Sequence, residues 1–540
     1  MSRSRNGTTT RVRKAFAVGG AALLAAAVLA ACGESQEAGS PAAEEAGSPA
    51  TEGAVPLADA LDTMEPQAVW QNFYDLTQVP RPSHHEEQAT QFVAEFGRGL
   101  GLDTTVDDAG NVVIGKPASA GMEQRPTVVL QAHLDMVPQK TPASKTNFET
   151  DPIDALVEDG WVRADGTTLG ADDGIGVAII MSILEADDLS HGPLEALFTV
   201  NEEDGMSGIH ALAPDALDGR MYLNVDNEVE GEFVISSAGA VTVETADSYR
   251  EVAAPSDATG FVVTVDGLLG GHSGIDIDKG RASAHELMAR LLLDSTADVD
   301  VRVADLVGGE VPNVIPSFAT ATLAVPAPQA EVFQKAVEDF EASVQKEYAD
   351  TDPDVTVTAK SAASPDKVME AGAQQALLGA VGDVPQGVYA MSDDIPGMVE
   401  TSNNLGVLTI QGGEFTGVAL ARSADNDERD AEGRRVADVF ESAGATVELT
   451  NPYSAWPPDP DSPLLALMQR TYKDLFGSEA KVEATHAGLE ASTAQSTFPG
   501  MDIVSVGPTL ENVHSTDERL EVDTVPNAYD LIVATLEAVE

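Results

Sequence analysis

Short apolar runs alternate with longer stretches in which apolar side chains return every third or fourth position, from about Leu57 to Ala238. That alternation predicts an α/β unit on a mainly parallel sheet. Three strands stand out: Val128 to Ala132, Leu194 to Val200 and Met221 to Val225. Between the first two, "GIGVAIIMSILEADDL" (Gly174 to Leu189) predicts an apolar helix lying on the sheet. Earlier, "PSHHEEQATQFVAEFGRGLG" predicts an amphipathic helix, with Ser83 and Glu86 at capping-box spacing and Gly99 or Gly101 ending it. From Ala238 to roughly Leu449 the pattern becomes strands alternating with amphipathic helices, as in "GFVVTVDGLLGGHSGIDIDKGRASAHELMARLLL" and "NVIPSFATATLAV". This predicts an inserted α+β domain. The chain then returns with a helix, "SPLLALMQRTYKDLFG", and short segments around "DIVSVGPTL" that complete the earlier sheet. A length of 540 residues exceeds one compact core. The expected arrangement is a first domain in two parts, 57–239 and 450–540, interrupted by an insert at 240–449.

The first 31 residues belong to none of this. Five basic residues precede an apolar run from about Ala15 to Ala31 that is short for a membrane span, and the pattern is that of an export signal. It closes on Leu29-Ala30-Ala31-Cys32, which resembles a bacterial lipoprotein signal: cleavage before Cys32, with lipid on its thiol. Cys32 is the single cysteine, so no disulfide framework accounts for it. Residues 32–56, rich in Ala, Glu, Gly, Ser and Pro, predict a flexible tether. Removal of the signal leaves 25 basic residues against 89 acidic, a net charge of −64. Such a charge argues against nucleic acid or anionic lipid surfaces as partners.

The predicted strands end in functional-looking groups: His133 and Asp135, Glu202 and Glu203, and Asp226. Open α/β sheets place their sites outside the carboxyl ends of strands. With Asp172 and His514 the set includes two imidazoles and three carboxylates able to bind metal, a mixed nitrogen and oxygen donor set that suits zinc; one Asp can bridge two ions. Asp135, two residues past His133 on the same strand face, is placed to orient its ring. Glu202, beside Glu203, is placed to take a proton from water.

Together "QAHLDMVPQ", "GTTLGADDGIGVA", "FTVNEEDGM", "NVDNE" and "GPTLENVHSTDE" resemble the M20 metallopeptidases, and within them the aminoacyl-histidine dipeptidases of carnosine-cleaving type. The resemblance runs from "RPSHHEE" to the end. It implies a zinc-peptidase catalytic domain with an inserted lid, holding two divalent metal ions, expected to be zinc. His133 and Glu203 are implied as terminal ligands, Asp172 as the bridge, and Asp226 and His514 as ligands of the other metal. Glu202 is implied as general base and Asp135 as the orienting carboxylate. A non-proline cis peptide is implied between Asp172 and Asp173, where many close relatives have Asn at the second position.

In the insert, "GGHSG" matches the family's lid histidine, so His272 is implied to reach the scissile carbonyl or the substrate. Asn313 in "PNVIP" and Arg422 in "ALARS" match lid positions that bind substrate, and an Arg can grip a terminal carboxylate through two bonds. Glu490 in "HAGLE" is open to two roles, meeting a substrate amine or serving as a buried structural carboxylate. His84, His85, His191, His210 and His285 are expected at the surface or in caps. The function expected is a lipid-anchored dipeptidase facing outside the cytoplasm and hydrolysing short peptides such as Xaa-His. A deacylase of the same family and a non-catalytic metal- or peptide-binding lipoprotein are the alternatives. A homodimer through the lid is one expected assembly, and a long lid supplying the same contacts within one chain is the other.

Overall fold

The computed structural model describes residues 53–295, 299–392, 395 and 397–540. The expected signal segment, Cys32 and most of the tether lie outside these. The tether ends earlier than expected, because Val55 and Pro56 already pair with Val157 and Leu156.

The catalytic lobe is organised by helix α1 (Glu87–Gly99), strands β1 (Asp103–Val106), β2 (Val112–Lys116) and β3 (Val128–His133), helix α2 (Ala171–Glu185), and strands β4 (Leu194–Thr199), β5 (Met221–Asn224) and β6 (Glu232–Ser237). The inserted lobe contributes β7 (Gly239–Ser248), β8 (Ala258–Asp266), helix α3 (Ala284–Ser295), β9 (Arg302–Gly308), β10 (Ala319–Pro326), β11 (Thr356–Ala362), β12 (Val399–Gln411), β13 (Glu414–Ser423) and β14 (Thr446–Tyr453). The chain returns through α4 (Pro463–Phe476), β15 (Lys481–Thr485), α5 (Glu490–Thr497) and β16 (Asp502–Ser505).

The eight-stranded sheet has the order β1-β2-β4-β3-β5-β16-β6-β15. Its centre, β4-β3-β5-β16, is parallel, and β2 and β6 join it antiparallel. The late strand β16 completes the sheet between β5 and β6, as "DIVSVGPTL" predicts. All six residues of β3 are buried, as are Ile175 to Leu184 of α2, which lies over the sheet. A strand covered on both faces reads as a continuous apolar run. Helix α4 is capped by Ser462, whose hydroxyl accepts the Leu465 N–H, and ends at Gly477 in the left-handed region (φ 74°).

The inserted lobe folds around an antiparallel sheet in the order β11-β8-β10-β9-β12-β13-β7-β14. One apolar core is drawn from residues between Leu57 and Ile235 and again between Leu464 and Val539, and a separate core from residues between Val243 and Ala445. Because the chain passes into the insert from β6 to β7 and returns after β14, the ends of the catalytic sheet face a lobe anchored by two adjacent strands.

Candidate active site

The acids converge where the strands end. His133, the last residue of β3, and Asp135 are buried at 1% and 0% exposure. The Nδ1 of His133 lies 3.4 Å from Asp135 Oδ1, and His133 Nε2 points the other way, toward Asp172 Oδ1 at 3.1 Å and Asp226 Oδ1 at 3.6 Å. Asp135 also accepts the backbone N–H of Glu202 at 2.9 Å and of Glu203 at 3.3 Å. One carboxylate thus faces the imidazole and fixes the turn that presents both glutamates. Burial works against its charge, but hydrogen bonds with His133, Glu202 and Ser83 hold the Asp135 carboxyl below the ordinary range. Asn201, just before the glutamates, and His514 both adopt left-handed backbone (φ 52° and 59°), uncommon for such residues and frequent at functional sites.

Asp172 sits between the two imidazoles, with Oδ2 3.0 Å from His514 Nε2, and His514 Nε2 is 2.9 Å from Glu203 Oε2. The donors fall into two sets sharing Asp172: His133 with Asp226, and Glu203 with His514. This corrects the partition expected from the resemblance, which put His133 with Glu203 and Asp226 with His514. The side chains on each side of Asp172 are decided by which strand end lies nearer, information that residue order does not carry. His133, Glu202 and Glu203 also approach one another closely enough to share an ion. The peptide Asp172–Asp173 is cis. Asp173 lies behind the cluster, its carboxylate accepting the N–H of His133 at 3.1 Å and of Gly176 at 3.2 Å.

These residues fit a pair of divalent metal ions. Two donors on one tetrahedral zinc, each about 2.0–2.1 Å from it, stand roughly 3.3 Å apart, and the four separations among the ligand atoms run from 2.9 to 3.6 Å. Glu203 Oε1 is buried without a hydrogen-bond partner in the described structure. The crowding of acids shows in their proton affinities. Burial, with repulsion from neighbouring carboxylates, pushes Asp226 and Glu202 well above the ordinary range. Burial opposes a proton on His514, but Asp172 and Glu203 outweigh it and push the imidazole up to about 11. Divalent cations answer this excess of negative charge.

The inserted lobe presents groups of the opposite kind. The Nδ1 of His272 accepts the N–H groups of Gly274 and Ile275 at 3.2 Å, which leaves its proton on Nε2. Burial and the nearby Arg422 charge hold His272 down to about 4, and the charge of His514, from the same chain, acts in the same direction. Arg422 is 3% exposed and donates to the Tyr453 hydroxyl at 2.8 Å, while its Nε has no partner. Among the described residues no carboxylate pairs with it. Asn313 is exposed, and its carbonyl accepts the Ser273 N–H at 2.8 Å, beside His272. Glu490 is fully buried; Gln131 and Thr199 donate to its Oε2 at 2.6 and 2.5 Å, and burial pushes it up to about 7. Oε2 is thus held within the sheet, while Oε1 is buried without a hydrogen-bond partner among the described residues.

Several participants escaped sequence reasoning. Ser83 is not a helix cap: α1 starts at Glu87, and the Ser83 hydroxyl donates to Asp135 at 2.8 Å. Glu228 stands beside the cluster in an open but crowded position, pushed up to about 7 by burial and the Asp172 charge. His486, in the "HAGLE" segment, is buried and bonds Ser402 of β12 at 2.8 Å, tying the two lobes together. His84, His85 and His210 are exposed as expected. His191 and His285 are not: both are buried, each with a ring Nδ1 on a backbone carbonyl, Gly192 and Leu405 respectively. A backbone partner lets an imidazole enter a core, and no spacing announces it.

The sequence pattern of Peptidase family M20/M25/M40 matches residues 129–538. Over 479 residues the chain is 36% identical to the cytosol non-specific dipeptidase of Escherichia coli K12, covering 89% of this chain and 99% of that one. The structure of aminoacylhistidine dipeptidase from Vibrio alginolyticus superposes with a TM-score of 0.81 at 37% identity, over 89% of this chain and 98% of that one. Aminopeptidase PepT from Bacillus cereus shares the fold at 17% identity, with a TM-score of 0.52 over 88% of this chain and 99% of that one.

Proposed function

We propose, from the premise that this chain belongs to peptidase family M20/M25/M40 and is a metal-dependent hydrolase, that it cleaves dipeptides with free carboxyl termini, Xaa-His among them. The relatives named above, a non-specific dipeptidase and an aminoacylhistidine dipeptidase, support the class of substrate. The observation that carries the reading is Arg422. A buried guanidinium with no carboxylate partner among the described residues, in a chain with 89 acidic residues, calls for an anion from outside. A dipeptide's terminal carboxylate supplies it.

His133 and Asp226 would hold one ion, Glu203 and His514 the other, and Asp172 would bridge. When bound, such a pair polarises the scissile carbonyl and acidifies water. Glu202, desolvated and with raised proton affinity, takes the water proton and returns it to the leaving amine. His272, neutral above about pH 4, donates Nε2–H to the oxygen on which charge develops. Arg422 anchors the far end, so the scissile bond is placed before the chemistry begins. The His272 loop packs on its own chain at Gly274, where an added side chain would strike the His486 carbonyl, which supports a site completed within one chain. Sedimentation separates that arrangement from a homodimer paired through the insert. The test of function is a panel of free, amidated and N-acetylated dipeptides with metal analysis of the same sample. Free dipeptides should be preferred; preference for N-acyl amino acids would make the protein a deacylase.

The proposal includes export and lipid anchoring at Cys32. It rests on the N-terminal sequence alone, and the E. coli relative is named as cytosolic. Among the described residues no helix is long and apolar enough to cross a membrane. One acyl chain anchors weakly, so the mature N-terminus should carry several. Mass spectrometry of the N-terminal peptide should find lipid on Cys32, and Cys32→Ser should release the protein or stall its processing; an unmodified thiol in wild type contradicts this.

A further inference from the structure

Behind the ligands, two buried charges hold the segments that carry them. Glu518 is 2% exposed and lies four residues past His514. Its Oε2 accepts the N–H groups of Leu169 at 2.7 Å and Gly170 at 3.0 Å, and its Oε1 those of Ala171 at 2.8 Å and Asp172 at 3.3 Å. These amides belong to the segment leading into the regular part of α2, where Asp172 and Asp173 have non-helical backbone angles and the helix ladder does not satisfy them. Arg81, also 2% exposed, donates through Nη1 to the carbonyls of Leu134 at 3.0 Å and Asp135 at 2.9 Å, and through Nη2 to the carbonyl of Gly170. Gly170 is therefore gripped twice, N–H by Glu518 and C=O by Arg81. Its φ is 70°, and an added Cβ would lie 2.7 Å from Arg81 Nη2, so only glycine fits.

The cap of the regular helix is Asp173, whose carboxylate accepts the Gly176 N–H at 3.2 Å, three residues on. Asp172 is left free of that role: its two oxygens face His133 and His514 at 3.1 and 3.0 Å. We propose that Glu518 and Arg81 are positioning residues for the metal pair. Glu518 holds the four amides from Leu169 to Asp172 and ties the His514 segment to the Asp172 loop. Arg81 ties the loop after His133 to that same Asp172 loop. Three ligand-bearing segments are thereby locked together, and each oxygen of Asp172 stays available to one ion. This rests on the reading of Asp172 as the bridging ligand.

The test is calorimetric titration of the metal-depleted full chain with zinc, for wild type, Glu518→Gln and Arg81→Lys. Glutamine keeps the size but replaces one acceptor oxygen with a donor; lysine keeps the charge but cannot reach three carbonyls. Wild type should bind two equivalents, and fewer would overturn the bridging reading itself. Each variant should bind the second equivalent roughly tenfold or more weakly, the scale of lost outer-shell support. The variants' cobalt(II) forms should lose the magnetic coupling that a shared carboxylate transmits. A role confined to folding would lower the melting temperature without separating the two binding events. The proposal is overturned if either folded variant binds both equivalents as wild type does. It is equally overturned if neither metal-depleted variant folds, since the pair would then serve the fold and not the site.

Discussion

The end of the parallel sheet and the facing surface of the inserted lobe handle buried charge in opposite ways. At the sheet, Asp172, Glu202, Glu203 and Asp226 crowd around two imidazoles; Asp172, bonded to both rings, is held low, and the raised proton affinities of Glu202, Glu203 and Asp226 mark an excess of negative charge. Facing it, Arg422 and His272 of the insert form a cluster with His486 of the returning chain, with no acid paired to the guanidinium among the described residues; burial and the Arg422 charge hold His272 down to about 4 and His486 to about 3. Each region is unbalanced alone. The first calls for cations and the second for an anion, and a dipeptide lying between two metal ions and Arg422 meets both needs. On the proposed function the two regions take separate roles: the acid end would perform bond chemistry, and the cationic face would select and orient.

Removing the cations should break the comparison most completely. Chelation, or Asp172→Ala, should reduce turnover to background, restored by added zinc only in the chelated wild type; persistent turnover by Asp172→Ala would remove the metals from the account. His272→Ala should lower kcat by about 10²–10³, the cost of one donor to a developing oxyanion, with metal content unchanged. An unchanged kcat would leave His272 a loop residue. Arg422→Ala should lower kcat/KM on free dipeptides by about 10², the scale of an ionic hydrogen-bonded pair lost from a buried site, and barely affect amidated ones. Equal losses on both would cancel the anion-binding role.

The smallest effect concerns stability. His486 has its folded-state pKa depressed to about 3 from an ordinary 6.5, so its contribution is present above pH 6.5 and is lost as pH falls from 6.5 toward 3. Between pH 7 and 5 this amounts to at most about 2 kcal/mol, at 1.36 kcal/mol per pH unit. Chelated wild type should lose stability faster than His486→Asn over that interval, measured by denaturant unfolding at each pH. Parallel pH profiles would show that burial of this imidazole carries no such cost.

What the sequence disclosed follows the range of the interactions. The strands β3, β4 and β5 were legible because burial on both faces imposes continuous apolar runs, and their acidic ends broke those runs conspicuously. The helix over Ala171–Glu185 was legible from its apolar side chains, although Asp172 and Asp173 depart from helical angles at its start. The partition of ligands between the two metal sets was not legible, since it depends on how β3, β5 and the His514 turn meet in space. Ser83 looked like a cap because local spacing permits one; its bond to Asp135 spans 52 residues. Arg81 and Glu518 both fall inside quoted motifs, at "RPSHHEE" and "HSTDE", yet their partners lie 53 to 349 residues away. His191 and His285 entered cores through single backbone bonds that leave no periodic trace.

The central claim divides the labour of two adjacent glutamates, Glu202 as base and Glu203 as ligand, and one measurement addresses it directly: metal stoichiometry and kcat on the same preparation of Glu202→Gln. Glutamine preserves size and hydrogen bonding but cannot accept the proton. The account predicts two bound metal ions with kcat lowered by about 10²–10⁴ and KM little changed. Loss of metal from Glu202→Gln, or turnover close to wild type with both ions present, would contradict it.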